Sequence, residues 1–343
     1  MSEMNPDAGA PPPHAVLIQM GTAQWVSRML YVAAKLGLAD LLAKGPRTAE
    51  ELAGPTETHA PSLHRLLRAL ANLGVFAEDG KRRFSLTPLG EALRSGAPGA
   101  ARPAILTLAS NWISQTFDHL LYSVQTGKPG FDKAMGMPIF DWLAKNPEAA
   151  SLFSDTMVGF HGAEPDAVAA AYDFSELPTI VDVGGATGNL ISAVVARNPT
   201  AKGVLYDLPH VVRDAPALLQ ARGVAGRVTI DSGSFFDRVP PGADAYLLSH
   251  IIHDWSEAQC LAILANCKKA MKPGGRVLIV EMVLPPGNAP HPGKMLDIMM
   301  LVGPGGQERT ESEYADLLGK AGFKLRRVVP TASAVSVVEA VVA

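Results

Sequence analysis

A run of five residues, TIVDV (179–183), passes directly into Gly184-Gly185-Ala186-Thr187-Gly188 and then into an amphipathic stretch, Asn189–Arg197. No other segment restricts the fold as tightly. The β-branched residues favour a strand, the glycines a tight turn, and the apolar spacing that follows has the helical period. A strand that returns beside itself after a helix does so as a parallel neighbour. From Thr179 onward, short β-branched runs keep alternating with amphipathic stretches of helix length, which predicts an α/β fold on a parallel sheet. Glycines at this first turn let the backbone approach a ligand. The next strand, KGVLYD, ends in Asp207, 23 residues beyond Gly184. A carboxylate in that place suits two ribose hydroxyls. The spacing is tighter than the dinucleotide fingerprint, with Gly184 and Gly188 flanking Ala186 and an acidic Asp182 within the strand. No Gly-Lys-Ser/Thr follows, which excludes a phosphate loop.

The first hundred residues have a different texture. A helix is expected over Leu17–Leu38, a short one at Leu41–Leu42, one after Thr48 (TAEELA) and one after Pro61 (SLHRLLRALANLG). The segment GVFAEDGKRRFSLT then reads as a hairpin with Asp79-Gly80 at its tip. Helices followed by a hairpin make a winged helix, a module that often reads DNA. Residues 1–99 hold ten Lys and Arg against nine Asp and Glu, and the helix that would enter the groove offers only His64, Arg65 and Arg68. Phosphate contacts dominate DNA affinity, so so weak a charge argues against nucleic acid. Dimerisation is the better reading, with the apolar Leu17–Leu38 helix as the partner surface.

The chain of 343 residues has a net charge of −3, too little for a field that would recruit nucleic acid or anionic lipid. The stretch Ala15–Leu42 is broken by Gln19, Gln24, Arg28 and Lys35, so it is not a membrane span, and the Pro/Ala-rich start has no leader pattern. Cys260 and Cys267 lie seven apart with no metal spacing, which suits two small apolar groups on one helix face and a reducing cytoplasm. Residues 101–175 read as a helical connector with loops at Gly127–Gly136. It is rich in Met and aromatic residues, Met157 among them, that either pack a core or wall an apolar substrate pocket.

The motifs VDVGGATG, YDLPHVV, SHIIHDWSEAQC, MKPGGRVLIVEMVLP and GGQERTESEYADLLGKAGF occur in that order over residues 179–325. Together with the winged-helix module, they make nearly the whole chain resemble the small-molecule O-methyltransferases. That family includes the plant caffeate and flavonoid enzymes and the bacterial enzymes that decorate antibiotics and phenazines. The resemblance implies a Rossmann-like class I methyltransferase domain, with a seven-stranded sheet whose last strand is antiparallel, and an N-terminal winged-helix dimerisation domain. The implied organisation is a disordered tail (1–14), a dimerisation domain (15–100), the connector (101–175) and an S-adenosylmethionine-binding domain (176–343), assembled as a homodimer. By the same resemblance, Gly184 approaches the methionine part of S-adenosylmethionine, Asp207 holds its ribose, and Gly233, Ser234 and Phe235 hold its adenine. Ser234 stands where the family usually has an acidic residue, and Ser249 where it usually has a lysine, four positions before His253. A serine oxygen is a weaker, neutral acceptor.

Methyl transfer from a sulfonium requires the acceptor oxygen to shed its proton, and a phenol with a pKa of about 10 keeps that proton at neutral pH. His253, in His-Asp-Trp at the end of the fourth strand, stands where a base is needed. The resemblance makes His253 that base, puts Asp254 in the pocket, and sets Glu281 and Glu308 beside the ring. A flanking carboxylate raises a histidine's basicity and fixes its tautomer.

Each residue also has a plainer reading. A lone histidine is more often structural than catalytic, and the ordered motifs turn that weighing. Glu281 would otherwise cap a strand end, and Glu308 would open the following helix. His161, four after Met157, either reaches cofactor or substrate or lies on a helix surface. His250 and His253 lack a third ligand at metal spacing, so no metal is expected, and His250 reads as packed or solvent-facing. Two rival functions remain in view. One is a same-fold enzyme doing hydroxylation, decarboxylation or ring closure. The other is a ligand-sensing DNA-binding regulator. Relatives that hydroxylate typically lack the base, so the histidine with its two glutamates favours methylation of a hydroxyl on a small aromatic or polyketide-like metabolite.

Overall fold

A computed structural model describes residues 11–99 and 101–343. It divides into two compact units, one of residues up to Ser114 with Asn146–Phe160, the other of Gln115–Lys145 with His161–Ala343. The expected connector is helical, with Gly127 and Gly136 ending helices in left-handed turns, but its helices are shared between the two units.

In the first unit, residues 1–10 of the tail expected over 1–14 lie outside the described residues, and residues 13 and 14 are helical. Pro13 already opens a helix, Pro13–Gly21, because proline presets the first helical φ and needs no donor there. The long helix expected over Leu17–Leu38 is interrupted at Thr22, whose hydroxyl donates back to the Gln19 carbonyl at 2.8 Å. It resumes as Ala23–Lys35 and stops again at Gly37, so that Leu38–Leu42 is a separate helix. Helix Ala49–Ala53 starts from a capping box of Thr48 and Glu51, and helix Ala60–Asn72 buries Leu63, Leu67 and Leu70. Strands β1 (Phe76–Glu78) and β2 (Phe84–Leu86) pair antiparallel as expected. Their loop is longer than an Asp-Gly turn. The Asp79 carboxylate accepts from the Lys81 and Arg83 amides, and the left-handed residue is Arg82. The Pro13–Gly21 helix buries none of its residues.

The second unit is built on a seven-stranded sheet. Its strands are β3 (Thr179–Val183), β4 (Lys202–Asp207), β5 (Val228–Ser232), β6 (Ala245–Ser249), β7 (Arg276–Glu281), β10 (Phe323–Pro330) and β11 (Ser336–Val342). Between β7 and β10, the short strands β8 (Val283–Leu284) and β9 (Arg309–Thr310) pair with each other. The sheet order is β10-β11-β7-β6-β3-β4-β5. Strands β3 to β7 are mutually parallel, and the last strand, β11, runs antiparallel to both its neighbours. Strands β3, β6 and β7 are buried nearly throughout, which is why they read as continuous apolar runs. Alternate residues feed two layers. Ile180, Leu247 and Leu278 pack with the Asn189–Arg197 helix, while Val181, Leu248 and Ile279 pack with the helices that carry Ile263 and Leu317. Cys260 and Cys267 are buried together in that second layer. Among the described residues no helix is long and apolar enough to cross a membrane.

Candidate functional site

The parallel strands all deliver their carboxyl ends to one edge of the sheet, where open α/β folds bind ligands. At the end of β3, Gly184 adopts a left-handed φ of 71°, and a Cβ there would lie 2.3 Å from Ile251 Cδ1. Only glycine fits. At the end of β4, the Asp207 carboxylate accepts from the Ala186 amide at 2.9 Å and the Leu208 amide at 2.6 Å. It thereby ties the glycine turn to the second strand and still has lone pairs to offer. Burial raises its pKa, offset in part by those two amides. Beyond β5, the Gly233 amide donates to the Asp207 carbonyl at 3.0 Å, which sets Gly233, Ser234 and Phe235 next in line. Ser234 is partly occupied, its hydroxyl oxygen accepting from the Phe236 amide at 3.2 Å. Phe235 and Phe236 pack on Trp255, with centroids 5.9 and 4.8 Å away. Ser249 ends β6 and is half-buried. Beneath the turn, fully buried Asp182 accepts from the Ile191 amide, and its other oxygen meets no partner among the described residues. Burial raises this carboxyl to about 7. A glycine cradle that a Cβ would fill, with an acceptor on the second strand, fits an adenosine-bearing ligand such as S-adenosylmethionine.

The second half of the site lies after β6. Residues Ile252–Asp254 form a single 3₁₀ turn, and a capping box of Ser256 and Gln259 then starts the Glu257–Ala270 helix. His253, on that turn, is buried. Its Nδ1 lies 2.6 Å from Glu308 Oε1, its backbone amide donates to Glu281 Oε1 at 3.0 Å, and its Nε2 lies 3.7 Å from Asp254 Oδ1. The Gln307 amide donates to the His253 carbonyl at 2.8 Å. That approach requires Gly306, where a Cβ would come within 1.9 Å of the same oxygen. Glu281 is the last residue of β7, fully buried, and its second oxygen accepts from the Tyr314 hydroxyl. Glu308 is not part of a helical first turn, since the next helix opens at Glu311 from a Thr310 cap. Its amide donates to Asp297 Oδ1 at 2.9 Å. Burial alone would hold the His253 ring below its usual pKa. The Asp254 charge, the Glu308 hydrogen bond and the Glu281 charge overcome it and lift the ring to about 10. Asp254 is raised to about 6 by burial and by the two glutamates, against the pull of His253.

His161 lies beside this group, and sequence reasoning missed what joins it there. Its Nδ1 is 2.9 Å from Glu164 Oε2, and the same oxygen is 2.7 Å from Nε2 of His250. The two imidazoles stack with centroids 3.8 Å apart, and the His250 ring is 5.2 Å from that of His253. The sequence offered no third ligand for His250, but the fold supplies two neighbours from 86 or more residues away. Their ligand atoms lie within 4.8 Å of one another, close enough for an ion, and the two hydrogen bonds to one oxygen already account for the arrangement. His250 is therefore packed rather than solvent-facing. Nothing at Glu164 announced this role, because its partner histidine stands at the far end of a β-strand in another motif. Of the remaining expected residues, Met157 is half-buried on the Pro147–His161 helix and belongs to the first unit.

Comparison with known proteins places both units. Residues 117–324 match the O-methyltransferase domain, and residues 19–96 match the O-methyltransferase dimerisation domain. The chain is 45% identical to the phenazine O-methyltransferase of Lysobacter antibioticus over 99% of both chains. It is 33% identical to the phenazine-1-carboxylate N-methyltransferase of Pseudomonas aeruginosa, over 91% of this chain and 92% of that one. Among solved structures it resembles the neocarzinostatin-biosynthesis O-methyltransferase bound to S-adenosylmethionine and 2-hydroxy-5-methyl naphthoic acid. That match has a TM-score of 0.82 and 34% identity, over 93% of this chain and 96% of that one.

Proposed function

This chain belongs to the O-methyltransferase family, uses S-adenosylmethionine and pairs with a second copy through its dimerisation domain; from that premise we propose that it methylates a hydroxyl of a phenazine- or naphthoate-like aromatic metabolite, with His253 as the base. The observation that carries this reading is the 2.6 Å contact of His253 Nδ1 with Glu308. A carboxylate on Nδ1 keeps that nitrogen protonated and leaves Nε2 as the atom that takes the acceptor's proton. Bound S-adenosylmethionine supplies an electrophilic methyl group. Gly184, Asp207 and the Gly233–Phe235 turn would hold it, beside the packed rings of Phe235, Phe236 and Trp255.

The strength of the base matches the task. A ring lifted to about 10 is largely protonated at neutral pH; its neutral fraction, which grows as pH rises, is a base of about the strength of a phenolate and takes a phenol's proton without an uphill transfer. This favours oxygen over nitrogen as the target. An aromatic amine or ring nitrogen attacks through its lone pair and loses any proton afterwards, so it has little use for a buried histidine held by three carboxylates. Hydroxylation or ring closure gives that assembly no task either.

The test is a panel of phenazine and naphthoate acceptors, each carrying one hydroxyl and one amine, incubated with a labelled methyl donor. Label on oxygen supports the reading. Label on nitrogen alone would transfer the chain to the N-methylating branch of its relatives.

A further inference from the structure

We propose that Nδ1 of His250 is a ligand-binding acceptor, taking a hydrogen bond from an ammonium, hydroxyl or amino group of a molecule bound beside His253. The proposal rests on the methyl-transfer reading only for the identity of that molecule. The ring's tautomer follows from its neighbours. Nε2 of His250 lies 2.7 Å from Glu164 Oε2, and that carboxyl stays ionised because the His161 and His250 hydrogen bonds outweigh its burial and hold it at about 2. An ionised carboxylate only accepts, so Nε2 carries the hydrogen. Burial pulls the His250 ring below the usual imidazole range, so it holds one proton and Nδ1 presents a lone pair. That atom is buried and meets no donor among the described residues. Most buried side-chain acceptors in folded proteins have a hydrogen-bond partner.

The backbone points the same way. His250 has a φ of 52°, a left-handed conformation unusual for a residue with a side chain, and its amide is held to the Val280 carbonyl at 3.1 Å. Strain of this kind persists where surrounding contacts fix it, often at a binding site. The ring is stacked on His161 at 3.8 Å, hydrogen-bonded to Glu164 and 5.2 Å from His253. The fold thus holds a lone pair still, beside the base, with nothing to receive. Two ligand groups have the matching chemistry. One is the α-ammonium of S-adenosylmethionine, and the other is a second hydroxyl or amino group on the aromatic acceptor.

The experiment uses the whole protein. ¹⁵N NMR of labelled histidine first reads His250 Nδ1 without ligand, then with S-adenosylhomocysteine, which keeps the ammonium, and then with a dihydroxynaphthoate. The expected result is an unprotonated Nδ1 that shifts with one of the two ligands. In parallel, calorimetry compares His250→Phe, which removes the acceptor, with His250→Asn, which tolerates the left-handed backbone and returns an oxygen near the Nδ1 position. His250→Phe should weaken the responding ligand by roughly tenfold to a hundredfold, and His250→Asn should recover part of it. Loss confined to S-adenosylhomocysteine assigns the ammonium. Loss confined to the dihydroxynaphthoate, with its monohydroxy counterpart unaffected, assigns the second hydroxyl. A protonated Nδ1, or an Nδ1 that neither ligand moves, overturns the proposal. None of these readouts needs turnover, so absence of methyl transfer would sink the functional reading while leaving this one to stand or fall separately.

Discussion

Glu308 and His253 meet at 2.6 Å, oxygen to Nδ1, in a place where neither is solvated. The sign of the pH dependence follows from this contact. If His253 is the base, as proposed, its acting form is the neutral ring, and because its folded pKa is raised to about 10, that form's fraction grows as pH climbs toward that value. Glu308→Gln deletes one of the carboxylates that raise it. The rising limb of kcat should therefore move to lower pH, while the plateau falls by about 10- to 100-fold because the weaker base is also less well oriented. A pH–rate series on both proteins checks this, and a limb that stays in place or moves upward would remove Glu308 from the base.

Asp207 joins two parts of the cofactor edge, since its carboxylate receives the Ala186 amide of the glycine turn as well as the Leu208 amide. Asp207→Ala should weaken S-adenosylmethionine by about 1.5–3 kcal/mol, the scale of charge-assisted hydrogen bonds. Calorimetry gives the number directly. Unchanged affinity would free Asp207 from the ribose.

The Pro13–Gly21 helix leaves Leu17, Ile18 and Met20 each at least 65% exposed, and Trp25 on the next helix 63% exposed. So much apolar surface on a dimerisation module marks the partner side. The double substitution Ile18→Glu with Met20→Glu should shift the protein toward monomer without unfolding it, because neither side chain is in the core. Light scattering on the eluted protein decides. A fully retained dimer would place the interface elsewhere.

What could be read in the sequence was whatever repeats with a period or sits at a turn. The alternation of runs such as TIVDV and KGVLYD with helices gave the sheet, because the central residues of these strands are buried and largely apolar. The grouping of His253 with Glu281 and Glu308 was legible only through the family resemblance of their motifs, and the structure does bring the three together. Glu164 was not. It opens a helix like many exposed acidic residues, and only the third dimension brings it to His250. The interruption at Thr22 was equally hidden, since the apolar spacing continues through it and the hydroxyl's bond to Gln19 leaves no compositional mark.

Glu164 gives a second pH dependence, this time of stability. Its folded pKa is lowered from about 4.5 to about 2, chiefly by the His161 and His250 hydrogen bonds acting against burial. A lowered carboxylate contributes stability above its unfolded pKa and loses it as pH falls through the folded one. The window is therefore between about 4.5 and 2, and the contribution is on the order of 3 kcal/mol. Glu164→Gln should be less stable than the parent at pH 7, and the gap should close across that window in denaturant titrations. A gap that stays constant down to pH 2 would show that the carboxylate is not held ionised by the two histidines.

His253→Ala separates the base from the scaffold. The ring's polar partners are Glu308 and Asp254, and its neighbouring ring is His250; it does not touch the glycine turn or Asp207, so S-adenosylmethionine affinity should be largely retained. Turnover should fall by about 10²–10⁴-fold, the range for loss of one general base. The size of the loss depends on how much of the acceptor still carries its proton. An acceptor of low pKa is already partly ionised and gains little from a base, so its loss should be small. An ordinary phenol should show the full loss throughout the range below pH about 10, because ring and phenol lose their protons together there. The measurement is a rate series over acceptor pKa, for parent and variant, at several pH values. A loss by the same factor for every acceptor, whatever its pKa, would mean that His253 holds the substrate in place and leaves its proton alone.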